Sequence, residues 1–223
     1  MSDNVIRTEA NDPLLLPPAE QRRLLADAPW QRYAVLGDSI AQGVGDPSPG
    51  YEPVGWADRV AAVHPGLAYL NTGRIGATSA QVLAEQLPSV LEFRPDLVHL
   101  SCGGNDLFLP GGDPAELRAN LDTLFGTLAR TGAQIVTFTL ADVWEVERMA
   151  PMRPMRERMA ALNDLVRELA DRYDALLLEL WDHPLRLRPD LMSADLIHFS
   201  MSGHAVLASD MVRTLAEHVP ARR

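Results

Sequence analysis

Short apolar runs alternate with longer amphipathic segments along this chain, beginning near Arg32. Short runs that are rich in apolar residues and bounded by turn-forming residues are typical of buried β-strands. The pattern predicts five of them, at Tyr33–Leu36, Leu67–Leu70, Leu97–Leu100, Gln134–Thr139 and Ala175–Leu178.

The segments between these runs carry apolar residues at helical spacing. The clearest begins at Pro114, a residue favoured in the first turn of a helix, and repeats apolar side chains from Leu117 to Leu128. The predicted helices are Trp56–Val63, Ser79–Gln86, Pro114–Arg130, Arg156–Tyr173 and Ser202–His218.

Strands that alternate with helices predict one α/β domain over residues 32–223, doubly wound around a sheet of about five mostly parallel strands, with helices on both faces. In such sheets, ligands bind outside the carboxyl ends of the strands. The residues that follow each strand are therefore the candidates for a functional site. The sequence shows no internal repeat, no low-complexity tract and no second domain.

Residues 1–31 are interpreted as an N-terminal arm. Prolines at 13, 17 and 18 interrupt regular structure, and residues 19–26 are suited to a short helix. The apolar run Leu14–Leu16 indicates that the arm packs against another surface. That surface is either the domain itself or a partner subunit in a homo-oligomer, and the sequence leaves both open.

Charge and composition narrow the classes of function. The 223 residues carry a formal net charge of −10, which disfavours binding to nucleic acid or to a membrane surface. All 20 basic residues are Arg, so a Walker-type phosphate loop, a Schiff base and a Ser–Lys dyad are excluded. The single cysteine, Cys102, excludes an intrachain disulfide and a Cys-rich metal site. No signal peptide or long apolar run is recognisable, so we expect a cytoplasmic protein.

Candidate chemistry follows the first and last predicted strands. Gly37-Asp38-Ser39 comes after the first strand, where a turn into a helix would surround Ser39 with unpaired N–H groups. Near the C-terminus, Asp195 and His198 are spaced so that a carboxylate can meet one imidazole nitrogen and leave the other free for a serine. Taken singly, each segment is equally compatible with a helix cap or a surface ion pair.

Two glycine-containing loops follow the second and third predicted strands. The first contains Gly73 and Gly76, where the backbone can approach a ligand closely. The second is Gly103-Gly104-Asn105-Asp106, in which the Asn105 amide is a neutral donor suited to a transient oxyanion. Plain glycine-rich turns and an Asx turn are the alternative interpretations.

Together these four segments resemble the GDSL-type esterase/lipase family, also called SGNH hydrolases after its Ser, Gly, Asn and His. The resemblance covers about residues 32–218, with all four blocks in the family's order and spacing. The matching residues are Gly37-Asp38-Ser39, with Ile40 in place of the usual Leu, then Gly76, Gly103-Gly104-Asn105-Asp106, and Asp195-x-x-His198. The resemblance implies a flavodoxin-like, three-layer fold.

The same resemblance implies roles for these residues. Ser39 would be the nucleophile, His198 its base, and Asp195 the group that orients His198. The N–H groups of Ser39 and Gly76 and the amide of Asn105 would form the oxyanion hole. The implied activity is hydrolysis of a small soluble ester through an acyl-enzyme on Ser39, without a metal or an organic cofactor.

Two other functions stay open at this point. An acyltransferase would use the same triad with an alcohol or amine in place of water, and a binding protein would keep the fold without turnover. A thiol nucleophile at Cys102 has no positive neighbour in sequence to lower its pKa. A metal-dependent hydrolase is disfavoured because Asp195, His198 and His204 match no zinc spacing.

An apolar cluster lies between the fourth strand and the helix that follows it: Trp144, Met149, Met152 and Met155. Its simplest interpretation is packing between loop and helix. Because it follows the carboxyl end of a strand, the alternative is a lid or acyl-binding wall, which makes Trp144 a candidate substrate-binding residue.

Overall fold

A computed structural model describes residues 7–108 and 112–219 of the chain. The fold is built around one parallel sheet. Its strands are paired in the order β2-β1-β3-β4-β5, and every pair is parallel. They are β1 Arg32–Gly37, β2 Ala68–Asn71, β3 Leu97–Ser101, β4 Gln134–Phe138 and β5 Leu176–Leu178. This strand order is that of flavodoxin-like folds, so the predicted α/β class is confirmed. Every predicted strand end lies within one residue of an observed one.

Helices cover both faces of the sheet. Side chains of β1 alternate between two buried clusters: Tyr33 and Val35 belong to one, and Ala34 and Leu36 belong to the other. This alternation is the two-residue period of a strand that is buried on both faces. The helices are α1 Pro18–Leu24, α2 Ser39–Gln42, α3 Trp56–Val63, α4 Ser79–Gln81, α5 Leu87–Phe93, α6 Gly104–Phe108, α7 Pro114–Ala129, α8 Arg156–Arg172 and α9 Met201–Ala216.

The predicted helix at Ser79–Gln86 differs from the structure. The helical stretch continues to Phe93, and between α4 and α5 it contains a π-helical turn, Val82–Gln86. Pro88 provides the physical reason, because it has no N–H and its ring would clash with the carbonyl four residues earlier. A wider turn before the proline relieves that clash and lets the chain remain helical.

Several short helical segments were not predicted from the sequence. They include α2, α6 and three 3-10 segments, Val143–Glu145, Glu147–Met155 and Pro184–Leu187. Each is too short, or too interrupted by proline, to display a helical period. The predicted ends of α7, α8 and α9 overrun the observed ends by one or two residues, as is common where the last turn frays.

The first described residues lie against α9. Leu14, Leu15 and Leu16 pack on the core, and the Leu16 N–H donates to Ser209 Oγ at 3.1 Å. Further along, Arg188 Nη1 donates to Asp12 Oδ2 at 2.6 Å, and both side chains are buried. Within the described ranges, no helix has the length and apolar character needed to cross a membrane.

Candidate active site

The turn that follows β1 holds Ser39 at the start of α2. Gly37 has a φ of +150°, and a Cβ at this position would lie 1.9 Å from the carbonyl oxygen of Ser101, so only glycine fits. Asp38 caps α2 by accepting a hydrogen bond from the Ile40 N–H at 3.0 Å. Ser39 is therefore the first residue of the helix, where its own N–H points away from the helical ladder.

Gln86 fixes this turn from the π-helical segment. Its Oε1 accepts from the Gly37 N–H at 2.9 Å, and its Nε2 donates to the Gly37 carbonyl at 2.8 Å. Gln86 is buried, so both bonds are shielded from water. A side chain 49 residues away in sequence thus sets the backbone two residues before Ser39.

The structure brings Ser39, His198 and Asp195 into one chain of contacts. Asp195 Oδ2 lies 2.6 Å from His198 Nδ1, and His198 Nε2 lies 2.8 Å from Ser39 Oγ. A carboxylate can only accept, so the hydrogen of the imidazole is on Nδ1 and Nε2 is free to accept from the serine. The arrangement can remove the proton of the Ser39 hydroxyl.

Backbone groups hold the Asp195 carboxylate as well. Its Oδ1 accepts from the N–H of Ile197 at 2.9 Å and of His198 at 3.1 Å. Burial raises the pKa of Asp195, but these hydrogen bonds and the one with His198 outweigh it and lower that pKa below its ordinary value. Asp195 is consequently ionised at neutral pH.

Asp46 ties the loop that carries His198 to the rest of the domain. Its Oδ2 accepts from the Ala194 N–H at 2.7 Å, and its own N–H donates to Ser193 Oγ at 2.8 Å. Its carbonyl accepts from the N–H of Met201, the first residue of α9, at 2.9 Å. One residue therefore joins both ends of the segment that contains Asp195 and His198.

Arg148 adds a second brace to the same loop. Its Nη1 donates to the Met192 carbonyl and its Nη2 to the Ser193 carbonyl, both at 2.8 Å. Arg148 belongs to the 3-10 segment Glu147–Met155, which lies beside Trp144. Arg148 thus links the apolar segment after β4 by hydrogen bonds to the loop that carries His198.

Asn105 lies in α6, directly after β3. Its Nδ2 donates to the carbonyl of Ala77 at 3.0 Å, which leaves the second hydrogen of the amide available. The carboxylate of the neighbouring Asp106 accepts two hydrogen bonds, one from the Ser79 backbone N–H at 2.9 Å and one from the Ser79 hydroxyl at 2.6 Å. These bonds hold the loop after β2 against α6 and bring Asn105 beside the pocket that Ser39 lines.

Gly76 lies in the loop after β2, with a φ of +74° that favours glycine. The Ile75 N–H donates to Gln42 Oε1 at 2.7 Å, so this loop is attached to α2 three residues after Ser39. The Gly76 N–H makes no hydrogen bond with the described residues. Gly76 is exposed and does not line the pocket beside Ser39.

A pocket of about 100 Å³ opens beside Ser39 and reaches into the core between α7 and α8. Trp144, predicted as a wall residue, lines it and is 5% exposed. Met149 and Met152 line it too, whereas Met155 does not. Most other lining side chains are apolar: Ile40, Leu100, Phe108, Leu121, Phe125, Phe138, Leu140, Val143, Met159, Leu162, Val166, Met192, Leu196, Ile197 and Phe199.

Burial changes the acidity of two further groups in this pocket. It raises the pKa of Asp38 to about 6, because a carboxylate loses hydration there, and the Ile40 N–H and His198 only partly offset this. It also raises the pKa of the Cys102 thiol, which keeps the sulfur protonated and unreactive. Across residues 7–108 and 112–219, no group of three or more His, Cys, Asp or Glu side chains is placed to hold a metal.

Three residues that hold the site in place, Gln86, Asp46 and Arg148, were not predicted from the sequence. Gln86 carries no local signal except the nearby proline that produces the π turn. Asp46 lies in the Gly- and Pro-rich stretch after α2, and Arg148 lies in a segment without helical period. Their contacts with Gly37 and with the histidine loop depend on the tertiary fold alone.

The fold and site define the class of this protein: a flavodoxin-like α/β protein with a Ser–His–Asp cluster at the carboxyl edge of its sheet. A model of the GDSL-like lipase/acylhydrolase family matches residues 35–206. The chain belongs to this family, and it is an ester-hydrolysing enzyme.

Several solved structures share this fold. An α/β hydrolase enzyme from the metagenome of Lake Arreo, Spain, has 25% identity and a TM-score of 0.67 over 86% of this chain and 97% of its own. A lipase/acylhydrolase from Enterococcus faecalis has 24% identity and a TM-score of 0.65 over 86% and 99%. An acetylxylan esterase, Axe2, from Geobacillus stearothermophilus has 23% identity and a TM-score of 0.64 over 86% and 97%. A search of curated proteins gives no match.

Proposed function

We propose that the protein hydrolyses small soluble esters through an acyl-enzyme on Ser39. The observation that carries this proposal is the chain of contacts from Asp195 through His198 to Ser39, at 2.6 and 2.8 Å. His198 takes the proton of the Ser39 hydroxyl as its oxygen attacks the ester carbonyl, and it returns that proton to the leaving alcohol. Water then attacks the acyl-enzyme, with His198 again acting as the base.

Asp195 keeps His198 in the productive tautomer and stabilises its protonated form. Two features of the structure support this role. The Asp195 pKa is lowered, so the group is charged when the imidazole becomes cationic. Its second oxygen is occupied by two backbone N–H groups, so the carboxylate cannot rotate freely.

Three donors would stabilise the tetrahedral oxyanion: the N–H groups of Ser39 and Gly76 and the amide of Asn105. The Ser39 N–H begins α2 and the Gly76 N–H has no partner among the described residues, so both are free to donate. Asn105 keeps one amide hydrogen after bonding to Ala77. The bond from the Ile75 N–H to Gln42 Oε1 attaches the Gly76 loop to the helix that begins at Ser39.

The pocket size favours a short acyl group. An engineered cavity of about 150 Å³ accommodates benzene, and the pocket here is about 100 Å³. Trp144 would form one wall around the acyl chain. We therefore expect acetate and butyrate esters to be better substrates than octanoate esters.

The test is hydrolysis of p-nitrophenyl acetate, butyrate and octanoate, together with labelling by a fluorophosphonate probe. Ser39→Ala should abolish both turnover and labelling. Ser89→Ala, an exposed serine in α5, is the matched control and should retain both. Turnover that survives in Ser39→Ala would overturn the proposal, and labelling of Ser39 without hydrolysis of any ester would favour acyl transfer.

A further inference from the structure

Two residues that line the pocket beside Ser39 each contain a buried polar atom without a partner among the described residues. Trp144 Nε1 and Ser101 Oγ are buried and make no hydrogen bond with the described residues, and both residues line the pocket. Other polar side chains of the lining are satisfied, since the Thr137 hydroxyl and the Asn163 amide each donate to a backbone carbonyl at 2.8 Å. The two unpaired atoms therefore stand out from a lining that is otherwise apolar or already bonded.

Trp144 is fixed in its place. It lies in the 3-10 turn Val143–Glu145 that follows β4, and it is 5% exposed. Its carbonyl accepts from Arg153 Nε at 3.2 Å, and the adjoining Met149 is 2% exposed. The indole N–H is shielded from solvent in this packing, so its acceptor must come from a group that enters the pocket and displaces part of that packing.

An indole N–H can only donate, and buried tryptophans usually find an acceptor. A plain alkyl chain in the pocket would leave Trp144 Nε1 unpaired. An acyl chain with an oxygen at the right depth would accept that hydrogen bond. One recovered hydrogen bond in a buried site corresponds to a preference of about tenfold.

We propose that this pocket selects acyl groups that carry an ether, keto or hydroxyl oxygen over alkyl groups of equal length. Trp144 Nε1–H is the donor to that oxygen. The inference rests on the proposed esterase function and adds the chemical class of the acyl group. It assigns Trp144 a specific polar role in addition to that of an apolar wall.

The experiment compares pairs of p-nitrophenyl esters in which one CH₂ is replaced by oxygen. Methoxyacetate is compared with butyrate, and 3-methoxypropanoate with pentanoate, so that the oxygen probes two depths. Each kcat/KM ratio is divided by the ratio of hydroxide-catalysed rates, which removes the intrinsic reactivity of the ether esters. The enzymes are the unmodified protein, Trp144→Phe, which keeps an aromatic ring without the donor, and Trp30→Phe as a control outside the pocket.

We expect the unmodified enzyme to prefer one of the ether esters about tenfold. The preference should fall to within about twofold of unity in Trp144→Phe and persist in Trp30→Phe. A normalised ratio near unity for both pairs, or a preference that survives in Trp144→Phe, would overturn the inference. If no ester is hydrolysed and Ser39 is not labelled, the proposed function fails and the inference fails with it.

A second measurement needs no variant of the pocket. Methoxyacetate and butyrate, as free acids, are compared as competitive inhibitors of the unmodified enzyme, alongside 3-methoxypropanoate and pentanoate. The ether acid of at least one pair should inhibit about tenfold more strongly than its alkyl partner. Equal inhibition constants within both pairs would contradict the role assigned to Trp144.

Discussion

Replacing Asp195 by Asn tests the orientation of His198 most directly. In the structure, Asp195 Oδ1 accepts from the N–H groups of Ile197 and His198. An asparagine at this position will keep its amide oxygen on those two donors, so its NH₂ group will face His198 Nδ1. A donor at that point forces Nδ1 to accept, which moves the imidazole hydrogen to Nε2 and blocks proton removal from Ser39.

The size of the effect follows from how exposed the pair is. When His198 becomes protonated, two opposite charges stand about 4 Å apart, an interaction worth about 4 kcal/mol at an effective dielectric of about 20 and about 1 kcal/mol in water. The Asp195 side chain is 46% exposed, which places the pair between these limits. The lost charge interaction corresponds to roughly 5- to 10³-fold in rate, and the wrong tautomer adds to it.

The assay is kcat/KM for p-nitrophenyl acetate, with circular dichroism to check the fold. Asp195→Asn should lose at least about tenfold, and Asp195→Ala should lose less than Asn does, because it leaves Nδ1 open to water and imposes no tautomer. Glu147→Gln, whose side chain is 92% exposed, is the matched control and should retain full activity. Asp195→Asn activity within about twofold of the unmodified enzyme would refute this reasoning.

Three further predictions concern catalysis and stability. Asn105→Ala should lower kcat for p-nitrophenyl acetate by about 10²–10³, and unchanged turnover would remove Asn105 from the oxyanion hole. Burial lowers the pKa of His99 from 6.5 to about 3. Between about pH 3 and pH 6.5 the unfolded chain therefore binds a proton at His99 that the folded chain does not, so the free energy of unfolding falls as pH falls. His99→Phe should therefore make unfolding free energy less dependent on pH by about 1.4 kcal/mol per unit across that window, and parallel urea-derived profiles would contradict this. Asp12→Asn leaves the buried Arg188 with Asp190 as its one charged partner among the described residues and should cost about 3 kcal/mol in urea unfolding; a loss below about 0.5 kcal/mol would show that the pair is not stabilising.

The sheet was predictable because its strands are buried on both faces. Such strands read as short apolar runs, and Val98, Leu100, Ile135 and Val136 are all nearly inaccessible in the structure. The long helices were equally clear, since α7 and α8 each keep a helical period over at least four turns. Their exact ends were not predictable, because the final turn depends on local capping.

The candidate site was partly predictable for a different reason. Parallel strands bring the residues after β1 and β3 to one edge of the sheet, so Ser39 and Asn105 were expected near each other from topology alone. The position of the Gly76 N–H depends on how the loop after β2 packs against Gln42, which no sequence pattern encodes. The bonds between Gln86 and Gly37 likewise require the π turn that Pro88 induces.

The single thiol of this chain gives experimental access to the motion of the pocket. Cys102 lines the pocket at 8% exposure, and its protonated sulfur is inert while it stays buried. A thiol reagent in excess therefore modifies the protein only during transient opening, at a rate that measures how often such opening occurs. An enzyme whose Ser39 carries a stable phosphonate should react more slowly, because that group occupies the pocket that Cys102 lines. Comparing the two rates over a range of urea concentrations separates local opening from global unfolding, without an introduced residue.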